Sequence, residues 1–104
     1  MDIFNGKIIE LDDYGNEKYS YLIEQITAEF GEDIRDVIGV VRCTGIIIDS
    51  NAPLEVNSEA EKELYNAFAD VEYNDANGDG SYREEAREDI SKRTGVDISQ
   101  IEIE

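Results

Sequence analysis

Apolar positions along this chain fall into short runs, each with its own rhythm. Lys7-Ile8-Ile9-Glu10-Leu11 is a β-prone run, closed by the turn-forming Asp12-Asp13-Tyr14-Gly15-Asn16. From Glu17 the spacing lengthens: Leu22, Ile26 and Phe30 recur on one stripe, which predicts a helix stopped by Gly31 as a left-handed cap. The segment Asp33 to Ser50 fits a helix through Ile34, Val37, Ile38 and Val41, but its β-branched content and two glycines favour strands, with Thr44-Gly45 as a turn or bulge. Ser58 and Glu61 have capping-box spacing, so a second helix is expected from there, carrying Leu64, Tyr65, Phe68 and Val71 inward and ending near Glu72 or Tyr73. After a polar loop, Asn74 to Gly80, a third helix is expected from about Ser81 to Arg93, stopped by Thr94-Gly95. The tail ends Ile101-Glu102-Ile103-Glu104, an alternation that predicts a strand with one buried face.

A shift of 64 positions aligns Glu24, Ile26, Gly31, Asp33 and Ile34 with Glu88, Ile90, Gly95, Asp97 and Ile98, and places Val37 on Ile101. Both stretches then read as helix, glycine cap, turn and strand. The expected order is β-α-β-β-α-α-β: a single α+β domain over residues 1–104, with helices on one face of a mainly antiparallel sheet and a ferredoxin-like arrangement as the working topology.

Charge changes the picture most. Twenty-six Asp and Glu stand against nine Lys and Arg, with no histidine, for a formal charge of −17. A small domain needs a net charge of only roughly 2–8 for solubility. The excess costs stability by self-repulsion and creates a field that attracts cations and basic surfaces while repelling nucleic acid and anionic membranes. With 40% apolar residues the chain still has the material for a core, so it is not of disordered composition.

Other features narrow the class. Cys43 is the only cysteine, which excludes an internal disulfide; beside Val41 and Ile46 it reads as a small buried hydrophobe. The N-terminal residues lack the basic and apolar regions of a signal peptide, and no apolar run approaches the roughly 20 residues of a membrane span. A cytoplasmic protein is expected. Without histidine, Ser-His and Cys-His nucleophile pairs are excluded, as are His-containing zinc sites, and one cysteine excludes thiolate clusters. No Gly-rich phosphate cradle is present. The expectation is a protein that is not an enzyme.

Two places could bind positive charge. In Asp75-Ala76-Asn77-Gly78-Asp79-Gly80-Ser81, oxygen ligands occupy alternate positions and a glycine follows, as a calcium loop requires. Residues 75–85 thereby resemble the EF-hand loop, and also the shorter dockerin loop, while Glu63-Leu64 and Ala67-Phe68 resemble an incoming EF-hand helix. The resemblance implies Ca²⁺ held by the side chains of Asp75, Asn77 and Asp79 and the carbonyl of Ser81. The bidentate position holds Ala86, so Glu85 would have to close the shell one residue early. The alternative for this segment is an Asp/Asn/Gly turn selected for geometry.

The second place is the stretch from Asp49 to Asp89, which holds thirteen acids against Lys62, Arg83 and Arg87. Glu59, Glu63 and Asp70 fall away from the apolar stripe of one expected helix, and Glu84, Glu85 and Glu88 from that of the next. Rows of carboxylates can imitate a nucleic-acid backbone and occupy a basic groove on a protein partner. In composition the chain resembles the small acidic nucleic-acid mimics with which phages inhibit restriction and CRISPR nucleases, which implies action inside a phage's host cell. Tyr14, Tyr19, Tyr73 and Tyr82 lie beside acids near turns and would suit such an interface. Alternatives are a calcium-binding module and an acidic antitoxin or immunity protein. Direct nucleic-acid binding is disfavoured, because it requires Lys and Arg to neutralise phosphates.

Overall fold

A computed structural model describes residues 2–32, 39–75 and 78–104. Among these the chain forms β1 (Asp2–Phe4), β2 (Lys7–Leu11), β3 (Glu17–Glu32), β4 (Val40–Ser50), α1 (Leu54–Phe68), β5 (Glu72–Asn74), α2 (Tyr82–Thr94), a 3₁₀ turn (Ile98–Gln100) and β6 (Ile101–Ile103). The class is α+β with a mainly antiparallel sheet: β1-β2-β3-β4-β5 pair in sequence order, and β6 joins β3 in parallel.

The largest correction concerns residues 17–32, expected to be a helix and found as the longest strand. The inward positions of β3 are Ile23, Ile26 and Ala28. A β-bulge at Glu24 breaks the alternation, so that Ile23 pairs with Ser50 and Gln25 with Asp49. The extra residue turns a spacing of two into one of three, which imitates helical periodicity. Leu22, assigned to the buried stripe, is 59% exposed. Over its described part, residues 24–31, the 64-residue echo therefore aligns a strand with a helix. Without that first helix, the described residues form a strand-rich sheet with two helices in place of the β-α-β-β-α-α-β order on which the ferredoxin-like arrangement rested. The stretch containing Ile34, Val37 and Ile38 lies outside the described residues.

Other expectations fare better. Val40–Ser50 is extended, and Thr44 is the extra residue of a bulge, since Glu29 pairs with Gly45 and Phe30 with Cys43. Helix α2 ends at Thr94, and Gly95 adopts the left-handed cap at φ 73°. Ile101 and Ile103 are buried while Glu102 is exposed. Helix α1 begins a turn earlier than expected, after Pro53 rather than at Ser58, and ends at Phe68, before the expected 72–73. Glu61 closes no capping box. Its carboxylate accepts a hydrogen bond from the Ile48 amide at 2.8 Å, capping the outer edge of β4 from the helix above it. Arg87 does the same for β6, its Nε donating to the Ile101 carbonyl at 3.0 Å.

Both helices bury their apolar stripes in one core: Val56, Ala60, Leu64 and Phe68 from α1, Tyr82, Ala86 and Ile90 from α2. Helix α1 packs chiefly on β4, and α2 on β6 and β5. The N-terminal β1–β2 hairpin turns through Asn5 (φ 50°) and Gly6 (φ 76°), both left-handed as a type I′ turn demands. That turn rests on the end of α2: the Gly6 amide donates to the Thr94 carbonyl at 2.9 Å. Thr94 is itself buried, its hydroxyl donating to the Ile90 carbonyl and accepting from the Val96 amide. A Cβ on Gly95 would lie 2.7 Å from the Asn5 Cα, so the junction admits only glycine. No described helix is long and apolar enough to cross a membrane.

Candidate acidic interface

The two helices present their carboxylates differently. On α1, Glu55, Glu59 and Glu63 are all exposed at four-residue spacing, a row with about 6 Å of axial rise between neighbours. Asp70 is exposed one residue past the C-terminal cap, Ala69, where the helix dipole is unfavourable to an anion, and the last turn of α1 has no basic residue. On α2, Glu84 and Glu85 sit in the first turn and Lys92 and Arg93 in the last, an order that suits the dipole. Glu84 pairs with Arg87, and Glu88 is exposed four residues on.

All six proposed contact residues (Glu59, Glu63, Asp70, Glu84, Glu85 and Glu88) are therefore solvent-facing. Because α1 and α2 pack over different strands, the carboxylates form two ridges. Among the described residues, ion pairs join Arg42 to Glu72 and Arg87 to Glu84, which leaves most of the ridge charge uncompensated.

The 75–85 loop is entered from strand β5, since α1 ends before it. Within it, carboxylates serve the backbone. Asp75 Oδ1 accepts from the Gly80 amide at 3.0 Å, and the Asp75 carbonyl accepts from the Gly78 amide at 2.9 Å. Asp79 Oδ1 accepts from the Ser81 amide at 3.0 Å, and this bond holds the Asp79 carboxyl below its ordinary pKa. Ser81 is the N-cap of α2, and Glu85 is exposed on its first turn. Asn77 lies outside the described residues. Among the described residues no group of three or more acidic or cysteine side chains is placed to hold a metal ion.

Buried groups are structural. Cys43 is buried at 3% exposure, and burial pushes its thiol pKa up. Two of the four tyrosines assigned to an interface belong to the core instead. Tyr73 and Tyr82 both pack edge-on against Phe30. The Tyr73 hydroxyl donates to Asp89 at 2.8 Å; burial first, and that bond second, raise its pKa strongly. Tyr14 and Tyr19 are exposed.

Sequence reasoning missed two recesses. One, of about 560 Å³, lies beside the 3₁₀ turn, where Glu24 and Glu102 add carboxylates to Glu84 and Arg87. The other, of about 430 Å³, is bordered by the N-terminal hairpin and by Glu63 and Leu64 of α1. The Asn5-Gly6 pair between Phe4 and Lys7 was the available signal for that hairpin. No protein-family model, curated protein or solved structure matches the chain.

Proposed function

We propose that this chain is a non-catalytic acidic binding protein of the cytoplasm, including that of a phage's host, and that it engages a basic groove on a protein partner. It would act as a nucleic-acid mimic of the kind that inhibits nucleases of restriction or CRISPR defence. The observation that carries the reading is the row of exposed carboxylates on α1, with Glu85 and Glu88 exposed on α2. Like charges four residues apart on a helix cost stability, as does an anion beyond a helix C-terminus. Glu55, Glu59, Glu63 and Asp70 occupy such positions on α1 without a neutralising basic residue in the last turn. Charge placed against the interest of the fold is charge available to a partner. A basic groove built for phosphates would gain attraction over long range and lose it with salt.

The test is charge reversal on a tagged full-length chain. E59K, E63K and E88K combined should weaken affinity for the captured partner by about tenfold or more, at unchanged or improved thermal stability. Unchanged affinity would reject the reading.

A further inference from the structure

The groove between the N-terminal hairpin and α1 combines what a charged ridge lacks: apolar surface and enclosure. Strand pairing aligns Phe4 with Lys7 and Lys7 with Leu22, and Asp2 with Ile9. Phe4, Ile9, Leu11 and Leu22 therefore share one face of the ribbon. Phe4 and Leu22 are 60% and 59% exposed and Leu11 is 37% exposed. Three of these, Phe4, Ile9 and Leu11, border the groove together with Ile3 and Leu64. Its charged rim is Asp2, Glu17 and Glu63 against the single Arg93. At about 430 Å³ the recess has the size of a small-ligand pocket. A water molecule takes up only about 30 Å³ of liquid.

We infer that this groove is a second contact point for the same basic partner, receiving one apolar side chain of a Lys/Arg-flanked segment. The inference rests on the proposed acidic binding role and adds to it an anchor that salt does not weaken. Charge complementarity selects the occupant. Three carboxylates against one guanidinium, in a chain of charge −17, favour a cationic segment over a neutral or acidic one. Its apolar residues supply surface against which an interface anchor can be buried. Glu63 belongs both to the α1 ridge and to the rim, so the two contacts are continuous.

The experiment uses two synthetic peptides, each with three lysines on either side of a central residue, leucine in one and alanine in the other. They are titrated into the ¹⁵N-labelled full-length chain. The leucine peptide should bind about tenfold tighter, the difference expected from burying roughly half of leucine's three extra carbons. Amide shifts should centre on Phe4, Ile9, Leu11 and Leu64. The variants F4A and L11A, at exposed positions that leave the fold intact, should erase the leucine advantage while salt-sensitive binding of both peptides persists. Equal affinity of the two peptides, shifts away from the groove, or no binding of either would overturn the groove assignment. A concentration-dependent dimer abolished by F4A would overturn it too, assigning the groove to a second copy. The charge reading is decided separately, by the charge-reversal variant against the captured partner, so each idea can fall without the other.

Discussion

The two halves of β3 carry similar side chains into opposite surroundings. Residues 23–32 lie against β4 on one side, with β6 on the other at Ile26–Ala28, and Ile26 and Ala28 are fully buried. Residues 17–22 pair with β2 alone, and Tyr19 and Leu22 stay more than half exposed. One strand thus joins a covered region, closed at its edges by Glu61 and Arg87, to an open ribbon with spare apolar surface. The covered region holds most of the core; the open ribbon and the helices also present exposed groups, Leu22 and Glu59 among them. Acids divide in the same way. Glu61 caps a strand edge while Glu59, two positions away on the same helix, is exposed to solvent.

Breaking the joint between the regions should have the largest effect. Gly95→Ala forces a Cβ to within 2.7 Å of Asn5 and strains a residue at φ 73°. The expected loss is about 3 kcal/mol or more, lowering Tm by more than about 10 °C in a thermal melt. A Gly95→Ala variant that melts like the wild type would mean that the ribbon does not dock on α2.

Next comes the contrast within α1. Glu61→Ala leaves the Ile48 amide without its acceptor and should cost about 1–3 kcal/mol by denaturant unfolding. Glu59→Ala should be neutral or slightly stabilising, because it relieves repulsion with Glu55 and Glu63. Equal effects would erase the division between structural and spare carboxylates.

Tyr73 gives a smaller effect with a definite sign. Its pKa is raised in the fold, so the folded state favours the neutral phenol. The stabilisation is complete below the unfolded tyrosine pKa of about 10 and is lost as pH rises above it. Tyr73→Phe removes the bond to Asp89 and should cost about 1 kcal/mol at neutral pH. Its deficit should shrink in alkaline melts, whereas a deficit independent of pH would contradict the assignment. Smallest of all, Leu22→Ser on the open ribbon should change stability by less than about 0.5 kcal/mol.

Much of the covered region was legible from pattern. The Ile/Glu alternation of the tail, the Gly95 cap and the bulge near Thr44 each follow from chemistry within a few residues. Residues 17–32 imitate a helix in sequence because the bulge at Glu24 moves the inward phase by one position, an event set by pairing with β4 and not by local sequence. The Ser58–Glu61 spacing misled for a similar reason: Glu61 found its donor on a neighbouring strand. The candidate ridges were legible as exposed acids. Their separation over different strands was not, because helix placement depends on the sheet beneath. Asp and Gly at such spacing suit turn geometry and cation ligation alike, and in this loop Asp75 and Asp79 accept hydrogen bonds from backbone amides.

The central claim is that the exposed carboxylates of the two helices are spare charge for a basic partner. The most direct measurement is the affinity of the purified partner for the wild-type chain between about 50 mM and about 200 mM salt, beside the same titration of the charge-reversal variant. The account predicts a steep linear fall of log affinity with log salt for the wild type and a much shallower line for the variant. Salt-insensitive binding, or two parallel lines, would contradict it.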